Sequence, residues 1–298
     1  MTALTLVTLL VFALNKIFRQ NNTLKNVSKI TRSWWIIIFV VFGFLSFGRI
    51  GALCFFLLIT LAIFIEYLKV SSFPSKKTLT FFLFSFTLLQ YFALYTENKS
   101  LFYAAFTLAA VCTLPVIVIL KSTIENLPVV AGVIFGLLFA GYYLSFIPGL
   151  LYLHTGLWKN DEQGIIAILF LLILTELNDI FQFLAGKFAG KRKIVPNISP
   201  NKTEAGFIGG VILTMSLSGI VAPRLLDIGP VPALFLGILI SIFGIFGDLL
   251  FSSIKRNLAI KDFSKAIPGH GGFLDRLDSL IFTAPVYFYY ITYIKGYF

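Results

Sequence analysis

The sequence predicts an all-α polytopic membrane protein of about nine to ten transmembrane helices, with a cytoplasm-facing active site in its carboxyl half. Three observations carry this. Of the 298 residues 58% are hydrophobic, 34 are Phe and the mean hydropathy is +0.93, well above a soluble domain, in which roughly half of the residues are apolar. The apolar residues come in runs close to the ~20 needed to cross the hydrocarbon core as a helix, and the runs are too continuous to alternate as barrel strands. The few charges lie in short connections and, in the carboxyl half, at the ends of runs.

Ten runs follow in order, near residues 2–18, 34–48, 50–68, 78–96, 101–120, 128–150, 164–184, 205–223, 231–251 and 279–296, the second and last being the weakest. Basic connections stay on the cytoplasmic side. With the amino terminus outside, all of the 24 Lys and Arg except Arg49, Lys99, Lys159, Arg224 and Lys295 fall in inside connections. The net charge of +11 therefore reports topology and attraction to anionic headgroups. No soluble basic domain exists to bind nucleic acid. Cys54 and Cys112 lie within apolar runs and read as small hydrophobes, without a disulfide framework or zinc site. The first run lacks a small-residue cleavage site and reads as a retained span.

No linker divides the chain, which is read as one integral membrane unit with residues 1–160 as an amino-terminal scaffold and 161–298 as the catalytic region. In the scaffold Glu66, at the end of the third run, is the nearest approach to an intramembrane charge. The bland reading there is packed Phe and Leu.

The carboxyl half differs. In "LLILTELNDIFQF" Glu176 and Asp179 stand three apart on one helical face, and carboxylates at such depth are costly enough to be read as functional. The next connection, "SPNKTEAGFIGG", offers Ser199, Lys202 and Thr203. It reads either as a capped helix start or as glycine-flanked backbone approaching a phosphate. The following run ends "FGDLLFSSIKR", where Asp248, Ser252, Lys255 and Arg256 share one face. Lys255 and Arg256 alone would be interfacial anchors, but a buried Asp248 calls for a cation, either a base one turn away or a metal.

The last connection, "KDFSKAIPGHGGFLDRLDS", carries Lys261, Asp262, His270, Gly271, Gly272, Asp275, Arg276 and Asp278. A cap needs one acid, not two with an Arg, a His and two Gly. Two separated carboxylates, Asp248 and Asp275, ringed by Lys202, Lys255, Arg256, Lys261 and Arg276, are hard oxygen donors that suit Mg²⁺. Bases beside Mg²⁺ are what a triphosphate or pyrophosphate needs. The residues thus point to a phosphate-handling, Mg²⁺-dependent membrane site, without naming the nucleotide.

The run Ser252 to Asp278 resembles the signature of the phosphatidate cytidylyltransferases, or CDP-diacylglycerol synthases: S, two residues, KR, four residues, KD, a PxHGG element and DRxD. "SPNKTEAGFIGG" and the "GDL" at Gly247 to Leu249 are similar to further family motifs, and the likeness covers roughly residues 165–298. It implies transfer of a cytidylyl group from CTP to phosphatidate, giving CDP-diacylglycerol and pyrophosphate for phospholipid biosynthesis. By this likeness Asp248 and Asp275 would hold Mg²⁺, with room for a second cation. Lys255, Arg256, Lys261 and Arg276 would contact phosphates, and Ser199, Lys202 and Thr203 would form a second polar wall. Asp262 and Ser252 belong to the same signature, His270, Gly271 and Gly272 would shape the nucleotide side, and Asp278 would orient Arg276 or a metal-bound water.

The implied partners are CTP, phosphatidic acid, the lipid bilayer, a second copy of the chain as a homodimer and a downstream CDP-alcohol phosphatidyltransferase; the implied place is the bacterial inner membrane. Two departures mark a divergent paralogue. Where the family commonly reads DSGAY this chain has "DIFQF", Asp179 to Phe183, and Phe251 replaces the Glu of GDLxES. A CTP-dependent lipid kinase is the rival enzyme reading. A lipid or anion transporter is the rival outside enzymes, but it should show an inverted repeat with broken spans, and none is visible.

Overall fold

The computed structural model describes residues 22–71, 76–120, 127–154, 156–269 and 271–297. The run expected near 2–18 and His270 lie outside the described residues. The chain forms α1 (Asn22–Leu45), α2 (Gly48–Val70), α3 (Lys76–Tyr95), α4 (Lys99–Leu120), α5 (Leu127–Gly136), a π-helical segment (Leu137–Tyr143) running into α6 (Leu144–Tyr152), then α7 (Asp161–Ala189), strands β1 (Lys193–Val195) and β2 (Ser199–Thr203), and α8 (Glu204–Leu226), α9 (Pro230–Asn257) and α10 (Phe273–Ile294). Among the described residues seven helices are long and apolar enough to span a membrane, with Val129–Tyr152 counting as one. Thr31–Leu45 is a shorter apolar helix. α10 has the length but carries Asp275, Arg276 and Asp278 in its first turns. The all-α expectation is met apart from the small antiparallel β1–β2 hairpin between α7 and α8.

Local chemistry sets the helix ends. α1 turns into α2 at Gly48, whose φ of +65 suits glycine. α7 begins with Asn160 accepting the Gln163 N–H at 2.9 Å, and Asp161 and Glu162 fill its first turn. α9 opens on Pro230, and Lys255 and Arg256 occupy its last turn. Large apolar side chains such as Phe39, Phe81, Ile220 and Tyr293 face outward, where lipid rather than water is the solvent. Cys54 and Cys112 are free and also face outward.

α7, α8, α9 and α10 pack each against the next, and α10 also rests on α2, α6 and α7. Lipid is as apolar as Leu, so close approach and interhelical hydrogen bonds hold such helices together. Gly206 and Gly210 bring α8 onto Gln182 of α7, and Gly237 brings α9 onto Met215 and Thr214 of α8. The buried bonds include Thr214 Oγ1 donating to Asn178 Oδ1 at 3.1 Å, Thr175 with Thr283 at 3.2 Å and Tyr287 Oη to the Ala167 carbonyl at 3.0 Å. Each such contact contributes about 0.6–2 kcal/mol.

The bundle has two unlike ends. Arg49 pairs with Glu97 at 2.7 Å, Lys159 pairs with Asp227 at 2.6 Å and Lys295 lies 4.4 Å from the Trp158 ring centre. Lys99 Nζ approaches His154 Nδ1 at 3.2 Å. Burial and the Lys99 ammonium lower the His154 pKa, so its neutral ring accepts that proton. Four of the five basic residues assigned to the outside meet here. The motif residues gather at the other end.

Candidate active site

Three helices and the β2–α8 junction deliver polar side chains to one place. α7 contributes Glu176, Asp179 and Gln182, the β2–α8 junction Lys202 and Thr203, α9 Asp248, Ser252 and Lys255, and the start of α10 Asp275 and Asp278. Lys202 Nζ lies 2.5 Å from Asp248 Oδ2 and 3.4 Å from Gln182 Oε1, while Ser252 Oγ donates to Asp248 Oδ1 at 3.1 Å. Lys255 Nζ lies 3.0 Å from Asp275 Oδ1, with both side chains largely buried. Asp248 and Asp275 are thus each matched by a base from a different element.

Asp275 is also a helix cap. Its Oδ2 accepts the N–H groups of Gly272 at 2.9 Å and Phe263 at 2.8 Å, satisfying donors that a helix start leaves open. Gly271, at φ +84, makes the preceding turn. Asp278 is buried and its Oδ1 accepts the Ser279 N–H at 2.8 Å; the Ser279 hydroxyl in turn donates to Asp179 Oδ2 at 3.1 Å. Asp248 lies within electrostatic range of both Asp179 and Asp278, as does Arg276 of Glu176 and Asp179.

The structure therefore joins Lys202 to Asp248 and Lys255 to Asp275, but the two aspartates share no hydrogen-bond partner among the described residues. The acids grouped with Asp248 are Asp179 and Asp278. Thr203 is the N-cap of α8, its Oγ1 accepting the Gly206 N–H at 3.1 Å, and the glycines after it serve helix packing, in line with the capped-helix reading. Ser199 pairs with Val195 in the hairpin. Arg256 is more peripheral, donating to the Ile198 carbonyl at 3.3 Å, and Lys261, Asp262 and Arg276 are exposed.

Gly247 shows why the "GDL" motif begins as it does. A Cβ there would collide with the Asp278 carbonyl and lie 3.1 Å from Ser279 Cα, so only glycine lets α9 seat Asp248 beside Asp278. Gly247→Ala is expected to cost about 1–3 kcal/mol through overpacking and to lower activity. Thermal unfolding and turnover of the variant check this together; an active variant of normal stability would remove the close contact from the account.

Sequence reasoning missed Glu66. It is buried at the end of α2, where its Oε1 accepts the Ser264 hydroxyl at 2.5 Å and the Phe273 N–H at 3.0 Å, and its Oε2 accepts the Leu274 N–H at 2.9 Å. The amino half thus holds the first turn of the helix that carries Asp275. The signal available was an acid at the end of an otherwise apolar run, read above only as the nearest approach to an intramembrane charge in a packed scaffold.

The two departures have structural counterparts. Phe251 is buried among the rings of Phe135, Phe139 and Phe263, at centre distances of 5.9, 6.3 and 6.2 Å, so the position serves an aromatic cluster. Gln182 supplies an acceptor to Lys202 and packs on α8, while Phe183 points outward.

The fold and site together define a polytopic helical membrane protein whose converging helix ends carry paired acids and bases. The model of the Cytidylyltransferase family matches residues 28–294, and the chain belongs to that family of nucleotidyltransferases. It is 40% identical over 268 residues to the uncharacterized protein YnbB of Escherichia coli (strain K12), covering 88% of this chain and 86% of that one. It is 43% identical over 129 residues to the phosphatidate cytidylyltransferase of Helicobacter pylori (strain ATCC 700392 / 26695), covering 43% of this chain and 47% of that one. The Bacillus subtilis (strain 168) phosphatidate cytidylyltransferase is 38% identical over 132 residues, covering 43% and 48%. The matches to these two named enzymes span about half of their length.

Among the described residues no three His, Cys, Asp or Glu side chains form a complete metal cage. The donors nonetheless fit Mg²⁺, which is commonly held by one or two carboxylates together with substrate phosphates. Asp248, Asp179 and Asp278 are all oxygen donors, and Asp179 Oδ1 is buried with no hydrogen-bond partner, an uncompensated acceptor of the kind a hard cation would satisfy.

Proposed function

We propose that this protein is a CTP:phosphatidate cytidylyltransferase, forming CDP-diacylglycerol and pyrophosphate. The observation that carries the reading is the pairing of Lys202 with Asp248 and Lys255 with Asp275, residues drawn from separate family-like motifs and brought to one end of the bundle. The substrates bring several negative charges, and in their absence these two lysines are held in place by the acids. Once phosphates enter, the ammonium groups can neutralise them without moving far.

In the proposed reaction a phosphatidate phosphate oxygen bonds to the α-phosphorus of CTP. The bond from that phosphorus to the oxygen bridging to the β-phosphorus breaks, and pyrophosphate leaves with that electron pair. The nucleophile is already ionised at neutral pH, so no general base is required. Positioning and charge neutralisation are then the main tasks. Lys202 and Lys255 would bind phosphate oxygens, the α10 start would fix Asp275, and the closed helix packing would exclude bulk water. Mg²⁺, held by Asp248 with Asp179 or Asp278, or by Asp248 with Asp275, would supply Lewis-acid neutralisation of the phosphates when bound; a second cation would have the remaining carboxylates available.

The bacterial inner membrane, a cytoplasm-facing site, nine to ten spans, catalysis centred on residues 161–298, a homodimer and a downstream CDP-alcohol phosphatidyltransferase complete the proposal. Purified protein incubated with α-labelled CTP, Mg²⁺ and phosphatidate is expected to move label into lipid and release pyrophosphate. Label appearing in lipid only from γ-labelled CTP would replace this reading with a lipid kinase, and no transfer from either would overturn both.

A further inference from the structure

A cavity of about 340 Å³ lies between the end of α2 and the loop before α10, lined by Ala62, Ile65, Glu66, Lys69, Ser264, Lys265, Ala266 and Phe273. We propose that it is a loading site for the phosphate headgroup of the lipid substrate, reached from the bilayer beside the catalytic end. The proposal rests on the lipid-modifying reading above and adds where the lipid first binds.

The lining joins two chemistries. Leu58, Ala62, Ile65 and Lys69 recur at helical spacing and form one stripe along α2. Leu58 is 54% and Ile65 42% exposed on the outside of the bundle, where an acyl chain can lie along them. The stripe ends at Lys69 in the last turn of α2, and exposed Lys265 stands on the loop across the same cavity. Two ammonium groups above an apolar track, at the interface where lysines place their heads, match a phosphate carrying acyl chains. A nucleotide has no use for the apolar track.

Glu66 does not repel the anion as a bare charge would, because its oxygens accept the Ser264 hydroxyl and the Phe273 and Leu274 N–H groups. It also links the cavity to the carboxylate site, because Glu66 accepts the Phe273 N–H while Asp275 accepts that of the adjacent Gly272. A lipid phosphate held at Lys69 and Lys265 would thus wait beside the turn that carries Asp275.

The test uses the full-length protein and the Lys69→Ala/Lys265→Ala variant. With dioleoyl phosphatidate in mixed micelles, the variant is expected to show a KM for lipid raised about tenfold, the loss of two modest phosphate contacts. Its KM for CTP and its kcat at saturating lipid should be unchanged, and Lys69→Arg/Lys265→Arg should restore the lipid KM. An active alanine variant with an unchanged lipid KM, or one whose defect lies in kcat or CTP binding, would overturn the site.

A second readout does not need turnover. A phosphatidate with a photoreactive acyl chain is expected to label the peptide containing Leu58 to Ile65 in the wild type and less so in the alanine variant. Labelling elsewhere, or equal in both, would overturn the site, as would full competition by inorganic phosphate, which would make it an ion site. Labelling at α2 in a wild type that makes no CDP-lipid would sink the proposed reaction and leave the lipid site standing.

Discussion

Asp248→Asn should lose about a hundred- to a thousandfold in turnover, the scale on which removing preorganised charge stabilisation acts, while the protein still inserts and folds. The substitution removes the charge that holds Lys202 Nζ at 2.5 Å but keeps an oxygen that can accept from Lys202 and Ser252. It also relieves repulsion with Asp179 and Asp278, both within electrostatic range. These stability effects oppose each other, so the thermal midpoint is expected to stay within a few degrees of wild type. That combination separates a functional acid from a structural one. Near-normal turnover in Asp248→Asn would falsify the assignment of this acid to the reacting centre, and a collapse in stability with the loss of activity would make it a fold residue.

The second large effect is expected at Glu66. In Glu66→Ala the Phe273 and Leu274 N–H groups and the Ser264 hydroxyl lose their acceptor in a buried place, at about 1–3 kcal/mol for each donor left unpaired. The α10 start should loosen and carry Asp275 with it, lowering kcat by more than the loss of folded protein explains. Glu66→Gln retains one carbonyl oxygen and should recover part of both losses. Measuring the fraction folded by thermal unfolding, and kcat per folded molecule, decides the matter: an alanine variant of wild-type stability and kcat would mean that α10 caps itself.

Much of this architecture is legible in the sequence. The run expected at 50–68 is α2, that at 128–150 falls within the α5 to α6 region, and those at 205–223 and 231–251 are the apolar parts of α8 and α9. The helices are longer because hydropathy registers contact with lipid, whereas backbone hydrogen bonding continues into polar turns such as Ser252 to Asn257 of α9. The β1–β2 hairpin is too short and polar to show a strand period. At the site, of the four residues Asp248, Ser252, Lys255 and Arg256 expected on one face, Ser252 meets Asp248, while Lys255 pairs with Asp275 and Arg256 reaches the Ile198 carbonyl. Spacing carries no information on which base meets which acid, so the Lys202 pairing could not be read from it, whereas the cap weighed and set aside for the start of α10 is present at Asp275. Glu66 was hidden for the same reason, being separated from its amide partner Phe273 by 207 residues.

That separation bears on how the protein is made. Glu66 belongs to a helix synthesised early, and the amides that satisfy it belong to the last helix described. During translation the ribosome has delivered α7, α8 and α9, with most of the charged motif, before α10 arrives to accept the clasp. Synthesis of Asp248 and Lys255 therefore precedes the contact that fixes Asp275, which forms only when α10 docks against α2.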